Sequence, residues 1–139
     1  MKFSDFTVDS WSENRRFFDT CIIPFTGLRG TESPPEVAEA LERLRDFLDL
    51  AEKPFQGRVV TYPAIQYTGA ESLAYVNEIC RKVKSSSFQY VVVLSADIPL
   101  TTSEIYESDL VLSPPDISVS QSKVFGSYVR DEIAALWLK

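Results

Sequence analysis

Asp97 carries the most chemical potential of any residue in this 139-residue chain. A carboxylate placed directly after the unbroken apolar run Tyr90–Leu94 has the chemistry of a nucleophile, a general base or a metal ligand. Thr26, Arg29, Tyr62, Gln66, Tyr67, Ser95 and Ser113 fall at the ends of this and other strand-like runs. With Asp97 they form the candidate ligand-binding set. Tyr62 and Tyr67 could stack on a ring. Gly27-Leu-Arg-Gly30 could cradle a phosphate, with Arg29 pairing its charge.

Each of these residues also has a structural reading. Asp97 suits an Asx turn or cap ahead of Ile98-Pro99. Tyrosines at strand ends commonly close a core, and a lone G-x-x-G without the dinucleotide-binding fingerprint is more often a plain turn. We rank the structural reading above the chemical one in all three cases.

Absences narrow the chemistry further. The chain has no His, which removes Ser-His-Asp and Cys-His nucleophile systems and every His-based metal site. It has no G-x-x-x-x-G-K-[ST], so P-loop phosphate chemistry is excluded. A phosphoacceptor receiver needs an acidic pair after the first strand, where this chain has Pro24-Phe25-Thr26, and a Lys after a later strand, where none follows Leu112. Carboxylate catalysis by Asp97 with Glu71 or Glu104 survives. Those glutamates, however, lie in helix-capping patterns. Cys21 and Cys80 lack C-x-x-C spacing and read as two buried thiols of a reducing compartment. We expect no cofactor and no metal, and Asp97 stands as the one candidate catalytic residue.

Capping signals of the form [ST]-x-x-[EQ] show which elements must position these groups. Ser10/Glu13, Ser33/Glu36, Thr68/Glu71, Thr101/Glu104 and Ser118/Gln121 each precede a plausible helix, whereas Ser86/Gln89 runs into a β-branched stretch and is set aside. Between them lie strand-like runs at Thr20–Pro24, Arg58–Tyr62, Tyr90–Leu94 and Asp109–Leu112. A helix over about 10–18 precedes the first strand. A long helix follows Ser33, with Pro34 at its first position and Val37, Leu41, Leu44 and Leu48 as its apolar stripe. Leu73, Val76, Ile79, Cys80 and Val83 mark the helix after Thr68, and residues 101–107 read as a short helix or single turn. A last helix runs from Ser118 to near the end.

Alternating strands and helices imply a three-layer α/β/α fold around a short, mainly parallel four-stranded sheet. Right-handed crossovers favour the flavodoxin-like order 2-1-3-4. The chain then reverses direction between the first and third strands, and ligands bind such sheets beyond the strand ends at that switch. No linker or low-complexity tract interrupts residues 1–139, so one domain is expected.

The order Phe18-Asp-Thr-Cys-Ile-Ile-Pro24, then Phe55-Gln-Gly-Arg-Val59 leading to Tyr62-Pro63, then Phe88-Gln-Tyr90 through Ser95-Ala-Asp97, resembles the YpiF-like proteins of Gram-positive bacteria. The likeness runs from the first helix to the last. It implies a small cytoplasmic protein of a family without assigned function or catalytic residues. Genes of that family often lie near those for quinol–cytochrome c reductase components, which implies an accessory role in respiration.

The balance of 20 acidic and 14 basic residues gives a formal charge of −6, unsuited to general nucleic-acid binding. The cluster Arg81-Lys82-Val83-Lys84 is better read as complementing the carbonyl end of a helix. The polar start Met1–Phe6 does not read as a signal peptide, and no apolar run is long enough for a transmembrane segment, so a cytoplasmic location is expected. A non-catalytic binding or adaptor protein with a protein partner is the favoured function. Its candidate surfaces are the acidic long helix and the Ser/Pro-rich stretch 95–118. A small-molecule-binding or carboxylate-dependent hydrolase or transferase site at the ends of the first and third strands is the alternative, and a weak homodimer is compatible with either.

Overall fold

A computed structural model describes residues 1–113 and 123–139. The strands are β1 (Thr20–Leu28), β2 (Val59–Thr61), β3 (Ile65–Tyr67), β4 (Tyr90–Ser95) and β5 (Leu110–Leu112). The helices are α1 (Val8–Asn14), α2 (Pro34–Glu52), α3 (Ser72–Ser86) and α4 (Lys123–Trp137). The sheet order is β2-β1-β4-β5, the expected arrangement, and every named strand pairing is parallel.

Alternation along the two central strands builds both cores. Cys21, Ile23 and Phe25 of β1 and Val91 and Val93 of β4 face one side, where Val76, Cys80 and Val83 of α3 cover them. Ile22, Val92 and Leu94 face the other, against Leu44, Phe47, Leu48 and Ala51 of α2 and Phe125, Val129, Ile133 and Leu136 of α4. Both faces of β4 are therefore dry, which is why its sequence reads as a continuous apolar run.

Strand β3 was not expected. It is three residues long, too short to register an alternating pattern, and it pairs with the far half of β1 after a register shift. Pro24 explains the interruption between β2 and β3. The Tyr62 N–H donates to the Ile22 carbonyl at 2.8 Å, so the β2 side of β1 is served by the Ile22, Pro24 register. Proline offers no N–H there, and the neighbouring chain leaves the ladder through Tyr62-Pro63-Ala64 before returning as β3.

Capping follows local geometry more than motif spacing. Ser33 and Glu36 form the expected box, with the Glu36 carboxylate accepting from the Ser33 N–H at 2.9 Å. Helix α1 starts earlier than expected. Thr7 is its cap, and Ser10 occupies the third helical position, where its hydroxyl accepts from the Thr7 N–H at 2.9 Å. The Thr68/Glu71 box does not form. Ser72 instead accepts from the Gly69 N–H, and α3 begins at Ser72. Thr101 and Glu104 make reciprocal bonds of 3.0 and 3.2 Å around a turn rather than a helix. Ser118 and Gln121 lie outside the described residues.

The N-terminal aromatics seal the amino end of the α3-side core. Phe6 meets Trp11 and Phe18 edge-on at 5.1 and 5.2 Å, and Phe3 packs on Phe88 at 5.8 Å. Phe17, on the same stretch, is instead exposed beneath the Arg16 guanidinium. At the same end of the sheet Arg58 binds Asp19 through two bonds of 2.9 Å and stacks on Trp137, whose Nε1–H donates to Thr20 Oγ1 at 2.8 Å. Cys21 and Cys80 are buried free thiols in one core.

Candidate functional site

Parallel pairing places Phe25 of β1 opposite Ser95, the last residue of β4, so the last residues of β1, Thr26–Leu28, and the loop after β4 meet at the switch between the first and third expected strands. The loop after β4 folds back across these ends. Ser95 donates its hydroxyl to the Ile98 carbonyl, and Ser113 Oγ donates to the same carbonyl at 3.4 Å while accepting from the Leu100 N–H at 3.3 Å. Ile98 then packs on Gly27, whose φ of +74° and lack of room for a Cβ both demand glycine.

Asp97 is held from the other layer. Arg43 of α2 donates Nε–H to Asp97 Oδ1 and Nη2–H to Oδ2, each at 2.8 Å. This two-point fork is the strongest common form of carboxylate recognition. Hydrogen bonding to Asp97 raises the Arg43 pKa above its ordinary value. Sequence periodicity gave no sign of this partner, because Arg43 belongs to the polar positions of α2 beside Glu42 and Asp46. Thr26 is buried, and its Oγ1 has no hydrogen-bond partner among the described residues.

The Gly27–Gly30 turn already holds an anion of its own. Its Arg29 and Gly30 N–H groups donate to the Glu32 carboxylate at 2.8 and 2.9 Å. The Arg29 N–H foremost, with the other local N–H donors, pulls the Glu32 carboxyl below its usual range. The Arg29 side chain is exposed beside this closed loop.

The remaining candidates gather elsewhere. Tyr62, Gln66 and Tyr67 line a cleft of about 720 Å³ between β3 and α3, together with Glu71, Tyr75 and Ile79. Tyr67 and Tyr75 are 64% and 55% exposed, large values for aromatic rings beside an open cleft. The ring of Tyr62 is set edge-on against Phe3 at 5.0 Å. Tyr67 lies over Gly69, where a Cβ would stand 2.8 Å from its ring. Glu71 is the N-cap residue of α3, but its side chain makes no capping hydrogen bond and no ion pair among the described residues. Sequence reasoning missed Tyr75 and assigned Glu71 to capping. The signal was the four-residue spacing of Glu71, the N-cap of α3, with Tyr75 and Ile79 on the helix.

No group of three or more His, Cys, Asp or Glu suited to a metal occurs among the described residues. None of their helices is long and apolar enough to cross a membrane. A family model described as "Protein of unknown function (DUF2487)" matches residues 9–135. Comparison with curated proteins and with solved structures returned no match.

Proposed function

Because the chain belongs to DUF2487, a family of proteins of unknown function, we propose from its own geometry that it is a non-catalytic adaptor that binds a protein partner. The Arg43 fork on Asp97 carries this reading. It engages both oxygens of the carboxylate best placed for chemistry, while Ser95 and Ser113 are spent on pinning the Ile98 loop. The exposed surface of Tyr67 and Tyr75 beside the β3/α3 cleft supports a docking role, since interface centres are enriched in tyrosine. The resemblance to YpiF-like proteins makes respiratory-chain components the first partners to try.

A photoreactive phenylalanine analogue at position 75, compared with one at exposed Tyr106, tests the reading in a native host. A defined partner captured from position 75 and not from position 106 is expected. Equal capture from both, or none, would refute it.

The unpartnered Thr26 hydroxyl favours a second reading, a small ligand at the β1/β4 switch. A nucleotide or sugar panel that raises the melting temperature, with the rise abolished in Thr26→Val and Asp97→Asn, would establish that reading instead.

A further inference from the structure

We propose that the β3/α3 cleft receives an arginine side chain presented by the protein partner, a proposal that rests on the adaptor reading above. Three tyrosines, Tyr62, Tyr67 and Tyr75, and one carboxylate, Glu71, line this cleft, and none of its lining residues is Lys or Arg. Aromatic faces attract organic cations through their quadrupoles, and guanidinium does so while also stacking as a plane. Glu71 supplies the matching negative charge. It is exposed, and no cation of the chain neutralises it among the described residues.

Backbone geometry adds an acceptor. Thr68 N–H donates to the Leu28 carbonyl at 2.8 Å, so the Tyr67 carbonyl, in the same peptide plane, points away from β1. A guanidinium has five N–H donors, enough for a carboxylate and a carbonyl together. Lysine offers a point charge without the plane, and an anionic segment would meet Glu71 and a chain of formal charge −6. Phe3 sets the Tyr62 ring edge-on, and the absence of a side chain at Gly69 lets the Tyr67 ring lie close over that residue.

The test titrates the full-length ¹⁵N-labelled chain with N-acetyl-arginine methylamide and, separately, with its neutral isostere N-acetyl-citrulline methylamide. Saturable shifts confined to residues 62–79 are expected, with the citrulline compound about ten-fold weaker. Tyr75→Leu and Glu71→Gln each weaken arginine binding by about three-fold or more, and Tyr106→Leu leaves it unchanged. Equal binding of the two compounds, shifts centred elsewhere, or no response overturns the proposal. So do the same shifts on raising protein concentration alone, which would mean that a second copy fills the cleft. A partner cross-linked at position 75 with no response to the arginine compound overturns the cation assignment and leaves the adaptor reading standing. A responding cleft with no cross-linked partner does the reverse.

Discussion

Replacing Asp97 with Asn separates a structural fork from a reactive carboxylate. An exposed ion pair contributes about 0–1 kcal/mol, and breaking a fully buried one costs about 3–5 kcal/mol. Here the Arg43 side chain is 30% exposed and that of Asp97 20%, and both bonds of the fork have good length. The substitution keeps one acceptor but turns an amide N–H₂ toward Arg43, so a loss of about 2 kcal/mol is expected. For a chain of this size that is a fall of about 6 °C in melting temperature. In urea the midpoint falls by about 1 M with an unchanged slope. Arg43→Met, which keeps the aliphatic stem, costs a similar amount, and the double variant costs little more than either alone. The cycle should give a coupling of about 1–2 kcal/mol. Losses below about 0.5 kcal/mol with no coupling would refute the reasoning, because such values belong to an exposed, unpaired carboxylate.

Thr26→Val replaces a buried, unpartnered hydroxyl by a methyl and should stabilise the fold by about 1 kcal/mol in chemical denaturation; a loss instead would reveal a partner for that hydroxyl. Gly27→Ala sets a Cβ against Ile98 in a left-handed conformation and should cost more than about 2 kcal/mol, whereas Gly30→Ala, at φ +91° with open space around it, should cost about 1 kcal/mol. Burial chiefly raises both thiols from an ordinary 9.0, Cys80 to about 12 and Cys21 still higher. Their folded pKa values exceed their unfolded ones, so the unfolded chain loses these protons first and stability falls as pH rises from about 9 towards 12, by up to about 1.4 kcal/mol per pH unit per thiol. Urea midpoints between pH 8 and 10.5 should show this slope, and Cys21→Ala with Cys80→Ala should flatten it; an unchanged slope in that variant would refute the assignment.

The order of the sheet was legible because β1 and β4 are buried on both faces and their apolar runs have no other comfortable place. The stripe of α2 was legible in part. Leu44 and Leu48 face the core as expected, but Phe47 and Ala51 join them while Leu41 is left exposed at the edge of a cleft. Helical periodicity finds a face to within about one residue per turn, and α4 packing beside α2 decides the rest. The candidate residues could be named from the sequence one by one, but not their arrangement, which divides them between the β1/β4 switch and the β3/α3 cleft. Asp97 and Arg43 are 54 positions apart, and nothing local to either announces the other. Glu71 matched a capping box, yet the Thr68 N–H that its carboxylate would have accepted donates to the Leu28 carbonyl, and that glutamate lines the tyrosine cleft instead.

Pro24 also bears on the edge that the sheet presents to other chains. A β1 with an N–H at that position would let residues 59–67 pair along it as one longer border strand, with Pro63 leaving one donor missing on its outer edge. The missing donor cuts that border into two strands of three residues, and the first is already bridged by Lys2 along Thr61. What remains open beside β3 is too short to seed a growing sheet and still long enough to offer one carbonyl and a row of rings. Pro24 inside the sheet and Pro63 on its border thus together keep this edge from presenting one long row of paired donors and acceptors.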